Sequence, residues 1–464
     1  MFNNKPFYKY HEPVNYRDTW RIFKIMSEFV EGYQFLSQFK GEVTVFGSAR
    51  TKSNNKFYQM ARETAYLLGK KKHSIITGGG PGIMEAANRG AYEAGAESVG
   101  INIQLPTEQV LNKYAKKSMG FHYFFTRKTM LTAPSQAFLY YPGGFGTLDE
   151  FFEVMDTIEL QKMPAVPVGI VDKTFWQPLV NFLEKSSIKE AGSLNYEKLN
   201  LFKIINTPKE ALEVLEKTKE RPYFSDFSPE KFSSGESANW RIFRIMAELV
   251  EGFEFVTKLK DDVTILGTNS IQPDSPYYEL AYDLAYKLGK LKYSIVTGGG
   301  TGIMEAANHG ATDAGAQSVG FSIKFEERPR LNKYVKDAIS FYFPFTRKLI
   351  LTAPSLAFVA FPGGFGTLHQ VFEILTLMQT GKMGRMPIIL FGKKFWQPLD
   401  EFVKNDLLKK FKTIEPQDTK LYHIVDKVED AIKLIRQVPR SIKNHVEYNK
   451  FSSLMGSINE GMKK

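Results

Sequence analysis

Two glycine-rich stretches carry the residues best suited to chemistry in this 464-residue chain: Gly78-Gly79-Gly80-Pro81-Gly82 and Gly143-Gly144-Phe145-Gly146-Thr147. Glycines let a backbone turn sharply and let a phosphate approach amide groups closely. A predicted helix begins at each stretch, and its free N–H groups and dipole favour an anion. Thr147 adds a hydroxyl donor that could also cap its helix. A plainer reading is that the glycines only close tight strand-to-helix turns. Two such loops on one sheet, with Gly47-Ser48-Ala49-Arg50 as a third after the first strand, shift the balance toward phosphate binding. Neither glycine stretch is a Walker loop, since no Gly-Lys-Ser/Thr follows. Neither is a dinucleotide fingerprint, since GGGPGI does not follow the first strand.

An acidic pair, Asp149-Glu150, follows the later loop. Acids in a helix's first turn are favoured by the dipole alone, and Arg127-Lys128 reads equally as a solvated pair. The loop is written twice, however. PGGFGTLDE at Pro142 returns as PGGFGTLHQ at Pro362, with His369-Gln370 where the acids stood.

The whole chain follows that duplication. Trp20-Arg21-Ile22-Phe23 returns at Trp240, TGGGPGIMEAAN at Thr77 returns as TGGGTGIMEAAN at Thr297, and FWQPL at Phe175 returns at Phe395. The offset stays at 220 residues (240−20, 297−77, 395−175), which marks a duplicated domain rather than a solenoid. The seam falls in the Ser/Pro-rich segment from Glu220 to Ser237, so domains are expected at 1–222 and 223–464. The tail beyond about Pro439 is expected to be peripheral.

Within the first unit, EVTVFGSA, SIITGG, SVGINIQL, FHYFFT, QAFLYYPGG and VPVGIVD read as strands. Val14 to Phe39, Phe57 to Gly69, GIMEAANRGAYEAG and FGTLDEFFEVMDTIELQK read as helices. Short apolar strands alternating with helices predict a parallel sheet covered on both faces. The fold class is therefore α/β, as two tandem Rossmann-like, doubly wound domains, with ligands beyond the carboxyl ends of the strands.

Composition narrows the class. Cysteine is absent, which excludes a disulfide framework and a cysteine metal site. The N-terminus lacks the apolar core of a secretory signal, and no apolar run approaches the ~20 residues needed to span a bilayer. The expectation is a cytoplasmic protein without a membrane partner. The net charge of +11 biases the surface toward anions. The lysines are dispersed, which argues for a solvated surface over a nucleic-acid groove.

GGGPGIMEAANRGA, FFTRK at Phe124 to Lys128, and PGGFGTLDE together resemble the Lonely-guy family. These are cytokinin riboside 5′-monophosphate phosphoribohydrolases, formerly described as lysine decarboxylases. The resemblance covers most of both halves, and GSAR and GIMEAAN resemble the larger bacterial branch. It implies cleavage of the N-glycosidic bond of a nucleoside 5′-monophosphate, AMP or an N6-modified AMP first, to free base and ribose 5-phosphate. No metal or organic cofactor is implied. The family pattern places the catalytic glutamate on Glu150 and the catalytic arginine on Arg127. Gly143, Gly144, Phe145, Gly146 and Thr147 match its phosphate-binding loop. Lys128, Asp149, Gly79, Gly80 and Glu108 fall at supporting substrate-binding positions. The second half keeps Gly298 to Gly300, Arg347, Lys348 and Gly363 to Thr367 but loses both acids, so one active and one degenerate site are expected. Family members work as dimers with sites near the interface. The two halves are accordingly expected to pack as an intramolecular pseudo-dimer, with which a further homo-oligomer is compatible. The competing reading is a nucleotide-binding or nucleotide-sensing protein without turnover.

Overall fold

The computed structural model describes residues 19–104, 111–216, 238–325, 328–329, 331–353 and 355–440. The seam, the tail and Glu108 lie outside the described residues. No helix among the described residues is long and apolar enough to cross a membrane.

The first half contains strands β1 (Val43–Phe46), β2 (Ile75–Thr77), β3 (Ser98–Ile103), β4 (Lys117–Phe121), β5 (Ala137–Tyr140), β6 (Val168–Val171) and β7 (Lys203–Ile205). They form one sheet in the order β4-β3-β2-β1-β5-β6-β7, and every pairing is parallel. The order reverses between β1 and β5, which opens a crevice beyond the strand ends where such folds bind ligands. The helices are α1 (Thr19–Leu36), α2 (Lys56–Lys70), α3 (Ile83–Ala94), α4 (Phe124–Thr132), α5 (Phe145–Glu159), α6 (Lys173–Phe182) and α7 (Pro208–Glu216). Local chemistry sets several of their ends. The Asn55 side chain accepts from Phe57 N at 2.8 Å to start α2, and Gly95 at φ +75° ends α3, a conformation that costs glycine little.

The second half repeats this plan. Its helices are α8 (Ala238–Val256), α9 (Pro276–Lys290), α10 (Ile303–Asp313), α11 (Pro344–Thr352), α12 (Phe365–Gln379), α13 (Lys393–Glu401) and α14 (Val428–Ile435). Its strands are β8 (Asp262–Leu266), β9 (Ser294–Thr297), β10 (Ser318–Phe325), β11 (Arg328–Pro329), β12 (Asp337–Phe341), β13 (Ala357–Ala360), β14 (Ile388–Phe391) and β15 (His423–Val425). Strand β12 pairs with β10 in parallel, as β4 does with β3, and the two-residue β11 adds an antiparallel edge to β10.

Strand alternation divides the core into layers. Val43, Val45, Ala137 and Leu139 face α2, α3 and α7 in a core built from the first half, with Phe411 of the second half packed against it. Phe46, Phe138 and Tyr140 face the opposite way, into a cluster with Phe29, Phe145, Phe152 and Trp176. That cluster runs on without a break into Phe321, Phe358, Phe365, Phe372 and Trp396 of the second half. Equivalent residues meet there. Phe152 stacks on Phe372, its counterpart 220 positions on, at 5.5 Å between ring centroids and 10° between planes. Phe29–Phe345 at 5.7 Å, Phe175–Phe402 at 5.7 Å and Phe182–Phe395 at 5.5 Å join the halves further. Helix α1 lies against α4 of its own half and also touches α8, so it both covers its own sheet and contributes to the contact.

One expected element is displaced. FHYFFT reads as a strand in the sequence, but β4 is Lys117–Phe121, and Phe124 opens α4. The aromatic run carries strand propensity, yet a buried acid from α1 decides the outcome. Glu28 accepts from His122 N (2.6 Å), Tyr123 N (3.3 Å) and Thr126 Oγ1 (2.5 Å), which satisfies donors at the start of α4. Glu248 does the same for α11.

Candidate active site

Three loops of the first half are laced together at the crevice. Ser48 N donates to Pro142 O (3.0 Å), and Ile83 N donates to Ser48 O (3.1 Å). The loop after β1 thereby ties the glycines after β5 to those after β2. The Gly78–Gly82 loop has its own clamp. Gly79 N donates to Thr77 Oγ1 at 2.9 Å. Asn112 Nδ2 donates to Gly79 O and Gly80 O, each at 3.0 Å, and to Asn88 Oδ1 at 2.9 Å.

Arg127 lies on α4 and leans into this crevice. Its Nε donates to Ile101 O at 2.9 Å, which leaves the terminal nitrogens for other partners. A Cβ at position 78 would run into Arg127 Nη2, so that glycine makes room for the guanidinium. A Cβ at Gly143 would run into Thr147 Oγ1, so the loop after β5 closes over its own threonine. Burial lowers the Arg127 pKa, and Glu150 and Asp149 oppose the shift.

Glu150 is the sixth residue of α5, one turn past its start, 5% exposed, and its Oε2 meets no donor among the described residues. Burial, reinforced by Glu153 and Asp149, holds this carboxyl well above the ordinary carboxylate range, against the pull of Lys128 and Arg127. An unsatisfied carboxyl beside a guanidinium, in a crevice, is the kind of group that functional sites hold out of its resting state.

Other expected site residues turn elsewhere. Lys128 is 2% exposed and is bound to Asp149 Oδ1 (2.9 Å), Glu153 Oε2 (3.1 Å) and Glu373 Oε1 of the second half (3.7 Å). Burial would lower its pKa, but these acids hold it well above the usual lysine value. Asp149 faces Lys128 and also His369 Nε2 at 3.4 Å. Burial would raise the Asp149 pKa, and Lys128 and His369 together bring it below normal. Phe145 packs on Phe372 at 5.9 Å. Lys128, Asp149 and Phe145 thus belong to the junction of the halves, while Arg127, Glu150 and the glycines belong to the crevice.

The second half also reaches the crevice. A Cβ on Gly144 would stand 2.8 Å from Thr413 O and 3.1 Å from Ile414 Cγ2. Glu415 pairs with Arg50 of the loop after β1, and Phe411 packs on Phe57 at 6.0 Å and on Phe175 at 4.9 Å. This segment follows the repeated FWQPL, where α13 continues as the π-helical turn Phe402–Lys410. Reciprocally, the turn Leu183–Glu190 leads to Ser193 and Leu194, which abut Gly364.

The family model described as "possible lysine decarboxylase" matches residues 84–215 and, separately, 304–435. The chain belongs to that family. It is the Lonely-guy family that the repeated motifs resemble. A probable cytokinin riboside 5′-monophosphate phosphoribohydrolase of Oryza sativa subsp. japonica is 27% identical over 190 residues, covering 39% of this chain and 73% of the relative. A cytokinin riboside 5′-monophosphate phosphoribohydrolase of Rhodococcoides fascians is 26% identical over 152 residues, covering 32% of this chain and 76% of the relative. Among solved structures, the molybdenum cofactor binding protein of Rippkaea orientalis is 23% identical over 39% of this chain and 98% of its own, at a TM-score of 0.31.

Several positioning residues of this Lonely-guy chain escaped the sequence reading: Glu28, Asn112, Glu153 and Asp156. Two had a signal. Glu28 recurs as Glu248, and Leu111-Asn112-Lys113-Tyr114 recurs as Leu331-Asn332-Lys333-Tyr334, both at the 220-residue offset.

Proposed function

We propose that the first half hydrolyses the N-glycosidic bond of purine nucleoside 5′-monophosphates, AMP or N6-modified AMP, releasing free base and ribose 5-phosphate. The observation that carries this reading is the placement of Arg127 and Glu150 together, beside Gly143–Thr147 and at the point where strand order reverses. Breaking the C1′–N bond leaves its electron pair on the base and positive charge on the sugar, as in glycoside hydrolysis. Glu150, once ionised, faces that charge and takes a proton from the water whose oxygen bonds to C1′. The same carboxyl can return the proton to the departing base nitrogen, so the reaction balances as water plus nucleotide. Arg127 and the loop amides hold the phosphate, for which a guanidinium's fork is suited.

In this reading the halves are a pseudo-dimer of domains 1–222 and 223–464, and the second half supplies the Phe411–Glu415 wall of the first site. The test is incubation of the full chain with AMP, N6-substituted AMP and adenosine, followed by chromatography. Free adenine from AMP, and far less from adenosine, is the expected result. Equal release from adenosine would remove the phosphate role from the loop. No release from any nucleoside monophosphate would remove the reading itself.

A further inference from the structure

The second half repeats the anion-holding parts of the first and changes the charge around them. Arg347 Nε donates to Phe321 O at 2.6 Å, as Arg127 does to Ile101 O. A Cβ at Gly298 would run into Arg347 Nη2, and one at Gly363 into Thr367 Oγ1. Asn332 Nδ2 clamps Gly299 O (3.1 Å) and Gly300 O (2.8 Å). Thr268 N donates to Pro362 O and Ile303 N to Thr268 O, each at 3.1 Å, so the loops are laced as in the first half.

The difference lies at positions 369 and 370. Where the first half sets two carboxyls, the second sets an imidazole and an amide. Arg347, on α11, therefore has no acid at the two α12 positions equivalent to Asp149 and Glu150. The acid that offsets its burial is Asp156 of the first half, which is already engaged by Lys348 Nζ at 2.6 Å. Gln370 is 7% exposed, and its Nε2 meets no acceptor among the described residues. A buried donor left unpaired is unfavourable. A loop of amide donors, a half-buried guanidinium and an orphaned amide on one crevice complement an anion with further acceptors. The amide can hold such a ligand but cannot supply the negative charge that a cationic sugar requires.

We propose that the second half is a binding site for a nucleoside 5′-monophosphate that is held and not cleaved. The ligand class rests on the reading given for the first half. The site itself rests on Arg347, Thr367 and Gln370.

The test uses the full chain carrying Glu150→Gln, so that AMP survives in both sites, titrated by calorimetry with AMP and, separately, with ribose 5-phosphate. The expected stoichiometry is two AMP per chain. Adding Arg347→Ala, or the isosteric Thr367→Val should the first perturb folding, is expected to weaken one of the two sites at least tenfold. A stoichiometry of one, unchanged by Thr367→Val, overturns the proposal. Ribose 5-phosphate filling the second site as tightly as AMP overturns the nucleotide class. The two readings fail separately. A wild-type chain that releases no base defeats the proposed hydrolysis but leaves the two-site count intact. Base release with a count of one defeats only this inference.

Discussion

Glu150 is the residue on which the proposed chemistry turns, and its environment makes two measurable statements. Glu150→Gln keeps the shape and removes the charge. The expected loss in kcat is about 10²–10³-fold, the range for one charge-stabilising group, with nucleotide binding retained; single-turnover assays and calorimetry read the two separately. The carboxyl must be ionised to act as base. Because burial holds it well above the ordinary range, activity should fall as pH drops through that raised value, not through the usual value of about 4.3. A pH profile of kcat/KM with its acid limb at the ordinary glutamate position would contradict the buried environment. This residue was legible in the sequence because the motif is local and because the duplicated copy lacks it. Lys128 was legible only as a charge. Its partners Glu153 and Glu373 come from α5 and α12, and no spacing within one half reveals that the lysine beside Arg127 turns into the junction.

Positioning belongs to elements. Helix α4 carries Arg127, and its start is held by Glu28 from α1 through three donors. Glu28→Ala leaves those donors buried without their acceptor, at a cost of about 1–3 kcal/mol. It should also raise KM for the nucleotide by loosening Arg127. A melting scan and steady-state kinetics should show both; a lower melting temperature with unchanged KM would make Glu28 merely structural. Gly78→Ala places a methyl in the space of Arg127 Nη2, so KM should rise tenfold or more with little change in melting. The alternation of strands and helices was readable because the central strands bury both faces and most helices keep their period. The start of α4 was not, because an aromatic run reads as a strand until an acid about a hundred residues away caps it.

The whole molecule is a pair of sheets with a shared helical layer, and that layer encloses charge. His369 lies between Asp149 (Nε2 to Oδ1, 3.4 Å) and Asp156 (Nδ1 to Oδ2, 3.7 Å), with Lys128 Nζ 3.3 Å from its Nε2 and Lys348 Nζ beside its Nδ1. Positions 149 and 369 are equivalent and meet each other, so two aspartates there would set like charges face to face. Duplication in one chain permits an acid on one side and an imidazole on the other. Burial and the two lysines push the His369 pKa down, and Asp149 and Asp156 more than offset them, so it stands raised. A raised value means that the histidine's contribution to stability is complete below about pH 6.5 and fades as pH rises through the folded value. The lowered Asp149 and Asp156 values contribute above about pH 3.9 and lose that contribution in acid. Between those limits the network is fully charged, and it links the halves across a continuous apolar core. Calorimetry near pH 6 should therefore record one cooperative transition for the full chain. His369→Asp places a third carboxyl among two, and breaking a buried pair in this way typically costs about 3–5 kcal/mol. The variant should melt markedly lower, and its loss should shrink on acidification as the crowded carboxyls take up protons. Two independent transitions in the wild-type chain, or a His369→Asp variant as stable as the parent, would mean that the halves do not depend on this buried charge.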